Sequence, residues 1–99
     1  MAVIHGNEQN FNDLINEELV LVDFFAEWCG PCKMLGPVLE QLENIDVVKI
    51  DVDESPSLAR QFGIMSVPTL MIFKNGQLKN SRSGAMPKPM LESWIDENR

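Results

Sequence analysis

The chain holds two cysteines, Cys29 and Cys32, inside the run Trp28-Cys-Gly-Pro-Cys-Lys33. The run follows Leu19-Val-Leu-Val-Asp-Phe-Phe25, a β-rich apolar stretch. It precedes Leu35, Val38, Leu39 and Leu42, whose i, i+3, i+4, i+7 spacing predicts a helix from about 31 to 43. The thiols therefore fall where a buried strand ends and a helix begins. A helix N-terminus carries unsatisfied N–H groups and partial positive charge, and both favour a thiolate. Cys29 is expected at that end, exposed and activated. Cys32, three residues on, lies in the first turn, sheltered and within reach. Gly30 lets the backbone approach closely, and Pro31 suits the first helical position, where its missing N–H costs nothing. One attacking and one resolving thiol is the layout for thiol–disulfide exchange.

Other uses of a close Cys pair fit less well. Tetrahedral zinc needs about four N or S ligands, and only His5, far along the chain, could join the two cysteines. Haem attachment needs His directly after the second Cys, where Lys33 stands. A structural disulfide closing so short a loop constrains little of the unfolded chain. No G-x-G-x-x-G, P-loop or H-E-x-x-H pattern implies a nucleotide or a metal cofactor. Met65, Met71, Met86 and Met90 read as core or groove filler.

Near the thiols in sequence, Asp23 is the one acid inside an apolar strand. Burying a carboxylate is costly, so it needs either a basic or backbone partner or a raised pKa with a proton-transfer task. A period of two puts it on the face of Leu21 and Phe25. Lys49 is the only charge within Val47-Val-Lys-Ile50, and such a lysine usually snorkels to solvent. Trp28 is either a half-buried core aromatic or an exposed platform beside the thiol.

The elements that must position these residues follow from periodicity. A short helix is expected over about 8–16, from Phe11, Leu14 and Ile15. Val47 to Asp51 is a second buried strand. Ser55-Pro56 opens a helix through about Phe62, with Gly63 beyond its end. Thr69 to Phe73 and Gln77 to Arg82 flank Lys74-Asn-Gly76, a hairpin signal. Met90, Leu91, Trp94 and Ile95 predict a C-terminal helix. Pro37 sits inside the second helix, removes the bond to the Lys33 carbonyl and is expected to kink the helix there. With a weak first strand at Ala2 to Ile4, the order is β-α-β-α-β-α-β-β-α, an α/β arrangement with a mixed sheet between helices.

Size and charge narrow the function classes. Ninety-nine residues, 44% hydrophobic and 23% charged, suit one globular domain with its own core. A net charge of −7 repels phosphate backbones, so no nucleic-acid partner is expected. No apolar run approaches a membrane span, and no basic and apolar leader opens the chain. A Cys pair without a leader belongs in a reducing compartment such as the cytoplasm.

The stretch Val22-Asp-Phe-Phe-Ala-Glu-Trp-Cys-Gly-Pro-Cys-Lys33 resembles the active-site segment of the thioredoxin family. The resemblance continues in order along the chain through Pro37, Val48-Lys-Ile-Asp-Val-Asp53, Val67-Pro-Thr69, Phe73-Lys-Asn-Gly76 and Gly84-Ala85. It implies a thioredoxin fold over residues 1–99 as a single domain: a central mixed sheet of four to five strands flanked by four helices. It implies a general protein-disulfide reductant without cofactor or metal. Such a monomer would act on disulfide-containing targets and be recharged by a thioredoxin reductase. Cys29 would then be the nucleophile, Cys32 the resolving thiol, Asp23 its general base and Lys49 a partner adjusting the proton step. Trp28, Gly30, Pro31, Val67, Pro68, Gly84 and Ala85 would form the substrate groove, with Pro68 in a cis peptide presenting the Val67 backbone. Phe25 stands where many thioredoxins carry Trp, and the connection from Leu42 to Val47 is short for the family, so the second helix is expected to end early. Two rival readings remain at this level. One is an oxidant or isomerase of the same fold, against which Gly30-Pro31 argues, since such relatives commonly carry His in that pair. The other is a non-enzymatic subunit of a larger assembly.

Overall fold

The computed structural model describes residues 2–99. Nine elements follow in the predicted order: β1 (Val3–His5), α1 (Phe11–Leu14), β2 (Leu19–Phe25), α2 (Gly30–Glu40), β3 (Asp46–Asp51), α3 (Pro56–Gln61), β4 (Thr69–Lys74), β5 (Gln77–Ser83) and α4 (Lys88–Glu97). The strands form one sheet in the order β1-β3-β2-β4-β5. β1, β3 and β2 run parallel, β4 pairs antiparallel with β2, and β5 pairs antiparallel with β4. The sheet is thus mixed, with five strands and four helices.

Central β2 is covered on both faces, which explains its unbroken apolarity. Val20, Val22 and Phe24 face a cluster with Phe11 of α1, Leu58 of α3, Ile50 and Phe73. Leu21 faces the opposite cluster, with Leu35 and Leu39 of α2, and Leu91 and Trp94 of α4. Each such fully buried side chain contributes about 1.5–3 kcal/mol. These two cores hold β2 and α2 as a rigid pair, and the Cys run is the joint between them.

Several boundaries differ from expectation. α1 is only Phe11–Leu14. Ahead of it, the Asn7 side chain accepts from the amides of Gln9 and Asn10, while the Asn10 side chain accepts from the Asn7 amide. These local bonds favour a turn over a helical start. α2 stops at Glu40, yet Leu42 still packs in the core. Asn44 then takes φ 65°, a left-handed conformation that asparagine tolerates, and this tightens the short connection. β1 runs from Val3 to His5, paired with Val47 to Lys49. The Ala2 amide instead donates to the Asp46 side chain at 2.9 Å. The hairpin turn is as the sequence predicts: Asn75 at φ 52° and Gly76 at φ 80° match the two positive φ values of a type I′ turn.

All seven residues of β5 are exposed, and it forms one edge of the sheet. Its cations are anchored to α4. Lys79 Nζ donates to the Asn98 carbonyl at 2.9 Å, and the Arg82 guanidinium lies 5.7 Å from the Trp94 ring centroid.

Candidate functional site: a dithiol–disulfide centre

Cys29 is the N-cap of α2, with extended backbone at φ −89° and ψ 114°. Its Sγ accepts the N–H of Cys32 at 3.2 Å, the bond that a Ser or Asp oxygen makes at other helix starts. Its carbonyl accepts the Lys33 N–H at 3.2 Å. Gly30 and Pro31 fill the first two helical positions. Cys29 and Cys32 are joined in a disulfide, with their Cα atoms 5.3 Å apart.

One expectation needs correction. Cys29 is not exposed in this oxidised form: it retains 4% of its accessible surface, and Cys32 retains 3%. Both sulfurs pack with Phe25 and Ala26, and Val52 and Val67 close in beside them. The bond to Cys32 and the capping bond together turn the Cys29 sulfur in toward the helix end. The Cys29 Sγ also lies 3.6 Å from the Val67 carbonyl oxygen, which a thiol proton could reach after reduction.

Around the disulfide the surface is apolar. Trp28 is 70% exposed, and its indole Nε1 donates to Asp53 Oδ2 at 2.9 Å. Trp28, Val52, Ile64, Met65, Ser66 and Val67 line a groove of about 150 Å³. The Val67–Pro68 peptide is cis, and the Pro68 carbonyl accepts the N–H of Gly84 at 2.8 Å. Gly84 has φ +93°, a conformation few side chains tolerate. Nothing in the chain occupies the space a Cβ at Gly30 or Gly84 would fill. That space is open to an approaching polypeptide. Ala85 lies apart from the Trp28 groove, in a second depression of about 310 Å³ with Met34, Leu35, Val38, Met86 and Pro87.

Asp23 lies on the face of Leu21 and Phe25, as its period implies, and is fully buried. Neither carboxylate oxygen has a hydrogen-bond partner. Lys49 Nζ stands 3.9 Å from Asp23 Oδ2, too far for a hydrogen bond and close enough for attraction. Burial pushes the Asp23 carboxyl up to about 6, and the Lys49 charge opposes that rise. Lys49 also lies 4.4 Å from the Phe25 ring centroid, so this ring steers the ammonium over its face. Cys32 and Lys49 line one small cavity of about 130 Å³.

One group in this region escaped the sequence reading. Asp53 was visible only as the end of the Val48-to-Asp53 run, without a task. The indole bond depends on the loop after β3 meeting the loop after β2, which no local pattern encodes. Met65, expected as core or groove filler, is 95% exposed and lines the groove. Among the described residues, no group of three or more His, Cys, Asp or Glu is placed to hold a metal ion. No helix among them is long and apolar enough to cross a membrane.

The comparisons agree with this geometry. The family model described as Thioredoxin matches residues 2–97. A thioredoxin of Staphylococcus haemolyticus is 44% identical and one of Bacillus subtilis 41% identical, each over 99% of this chain and 99% of the relative. Among solved structures, a thioredoxin mutant from Halobacterium salinarum superposes with a TM-score of 0.90 at 35% identity, over 98% of this chain and 89% of that one. A thioredoxin from Malassezia sympodialis superposes at 0.85 with 33% identity, over 99% and 90% of the two chains. With a disulfide capping α2 and relatives alike over its whole length, the chain belongs to the thioredoxin family of dithiol–disulfide oxidoreductases, and Cys29–Cys32 is its redox-active pair.

Proposed function

We propose that this chain is a general reductant of protein disulfides, working as a monomeric single domain of residues 1–99 in the cytoplasm. It needs no cofactor or metal beyond the Cys29–Cys32 pair, and a thioredoxin reductase recharges it. The observation that carries the reading is the capping bond. The atom that must be a thiolate in the reduced form already accepts an N–H at the positive end of a helix.

In the forward reaction the Cys29 thiolate attacks one sulfur of a target disulfide. A mixed disulfide forms, and the other target sulfur leaves as a thiolate that takes a proton from water. Cys32 then passes its thiol proton to the Asp23 carboxylate and attacks the Cys29 sulfur. The Cys29–Cys32 bond forms, and the second target sulfur leaves. That sulfur leaves as a thiolate and takes the proton from Asp23, so the target has gained two electrons from the Cys pair and two protons, one from water and one from Cys32. Lys49 sets how readily Asp23 accepts that proton, because its charge favours the ionised carboxylate. The groove of Trp28, Gly30, Pro31, Val67, Pro68 and Gly84 receives an extended target segment, and Ala85 extends the contact toward the second depression.

The reduction potential, measured by equilibration with defined glutathione ratios, tests the direction of electron flow. Thioredoxins in general show about −270 mV, and a value there is expected. A value of about −180 to −120 mV would make the chain an isomerase or an oxidant.

A further inference from the structure

The register of the three parallel strands lines up three titratable side chains. Asp23 on β2 pairs with Lys49 on β3, and Lys49 pairs with His5 on β1. Neighbours in register point to the same face of a sheet. The row therefore runs from a buried carboxyl, through a partly buried ammonium, to an exposed imidazole. Two members share one aromatic ring. Lys49 Nζ stands over Phe25, and the His5 ring meets it edge-on, with centroids 6.4 Å apart and planes at 73°. His5, Phe25, Lys49 and Cys32 also line the same cavity of about 130 Å³, which has room for a few waters.

We propose that His5 is a positioning residue for the resolving step: its charge acts on Asp23 and Cys32 across Lys49 and the shared cavity. This rests on the reading of Asp23 as the base for Cys32. Histidine is the side chain whose charge ordinarily changes between pH 5 and 8. An imidazolium beside Lys49 adds a second positive charge to the row and favours the ionised carboxylate. Protonated His5 thus keeps Asp23 available as a base to lower pH.

The other charged groups that face His5 leave this effect standing. On α2 and the loop before it, Lys33 and Glu27 are exposed and opposite in sign. On β3, the Asp51 carboxylate is held by the amides of Asp53 at 2.8 Å and Glu54 at 3.4 Å. The Lys49–Asp23 pair is what the imidazolium acts on. Two strand spacings separate the Asp23 and His5 backbones by about 10 Å, roughly one Debye length at 0.1 M salt. The effect must therefore be small and sensitive to salt.

The rate at which Cys32 resolves a mixed disulfide, followed from pH 5 to 8 in the full chain, tests it. In about 0.02 M salt, His5→Gln should move the acid limb up by about 0.3–0.5 pH units, a two- to threefold slower rate at its foot. In about 0.5 M salt the shift should vanish. His5→Lys, with a permanent charge, should leave the limb at its original position or lower. An unmoved limb in His5→Gln at low salt overturns the role of His5. An acid limb that survives in Asp23→Asn removes the base reading and this proposal with it. A limb abolished by Asp23→Asn but untouched by His5→Gln overturns the His5 role alone. Melting temperatures near that of the parent should accompany both His5 variants, since the side chain is exposed.

Discussion

At the residue scale the division of labour between the two sulfurs is open to direct test. Cys29→Ser should abolish catalytic reduction of an insulin-type protein disulfide. Cys32→Ser should instead accumulate a mixed disulfide with the target, seen as a mass adduct lost on adding dithiothreitol. Asp23 gives a prediction of a different kind. Its carboxyl is raised from 3.8 to about 6 by burial, so the folded state binds its proton more tightly than the unfolded state does. Below about pH 4 both states are protonated and burial carries no charge penalty. Above pH 6 the folded state alone holds a desolvated charge, which weakens it by roughly 3 kcal/mol. Asp23→Asn should therefore be more stable than the parent at pH 8, by up to roughly that amount, and the difference should fade as pH falls from 6 to 4. Urea titrations at four pH values read both limbs.

At the element scale the sequence was a good guide wherever one pattern had one physical meaning. Unbroken apolarity marked β2, heptad-like spacing marked α2, and Asn75-Gly76 marked the hairpin with its turn type. The shortness of α1 was hidden, because the asparagine side chains that cut it bond across three residues. The redox pair and Asp23 were legible from spacing and from a charge in an apolar run. The Trp28–Asp53 bond and the His5–Lys49–Asp23 row were not, since they join loops and strands far apart in the chain. Gly6 carries an element-scale prediction. A Cβ there would stand 2.9 Å from Ile50 Cδ1 and from Val48 Cγ1, and 3.1 Å from Leu14 Cδ1. Gly6→Ala should push the segment after β1 off the side chains of β3 and α1 and lower stability by about 1–3 kcal/mol in denaturant titration. Asp53→Ala, by contrast, frees the exposed indole of Trp28 without touching the core. Its stability should stay within about 0.5 kcal/mol of the parent. Its KM for a protein disulfide should rise about two- to threefold with kcat held, because the platform is then unfixed.

For the molecule as a whole, the most exposed large hydrophobics among the described residues are Met65, Met34 and Trp28, with Met90 of α4 and Leu78 of β5 less so. Trp28 and Met65 flank the first groove and Met34 the second. The chain as a whole carries a net charge of −7. A small patch on a chain with that self-repulsion favours brief encounters over lasting association. Sedimentation of the oxidised chain should give one species of about 11 kDa across micromolar to millimolar concentration. A dimer would show that the patch is occupied by a second copy.

The outer strand β5 bears on a hazard of another sort. A sheet with an unpaired rim offers a template on which further chains can add, and cross-β fibrils grow in that way. Here one rim is the three-residue β1, too short to nucleate growth. The other displays Lys79 and Arg82, charges that discourage strand addition, with Lys79 bonded to the Asn98 carbonyl and Arg82 beside the Trp94 ring. The guard thus lies at the edge of the sheet opposite β1, in residues that take no part in the redox chemistry.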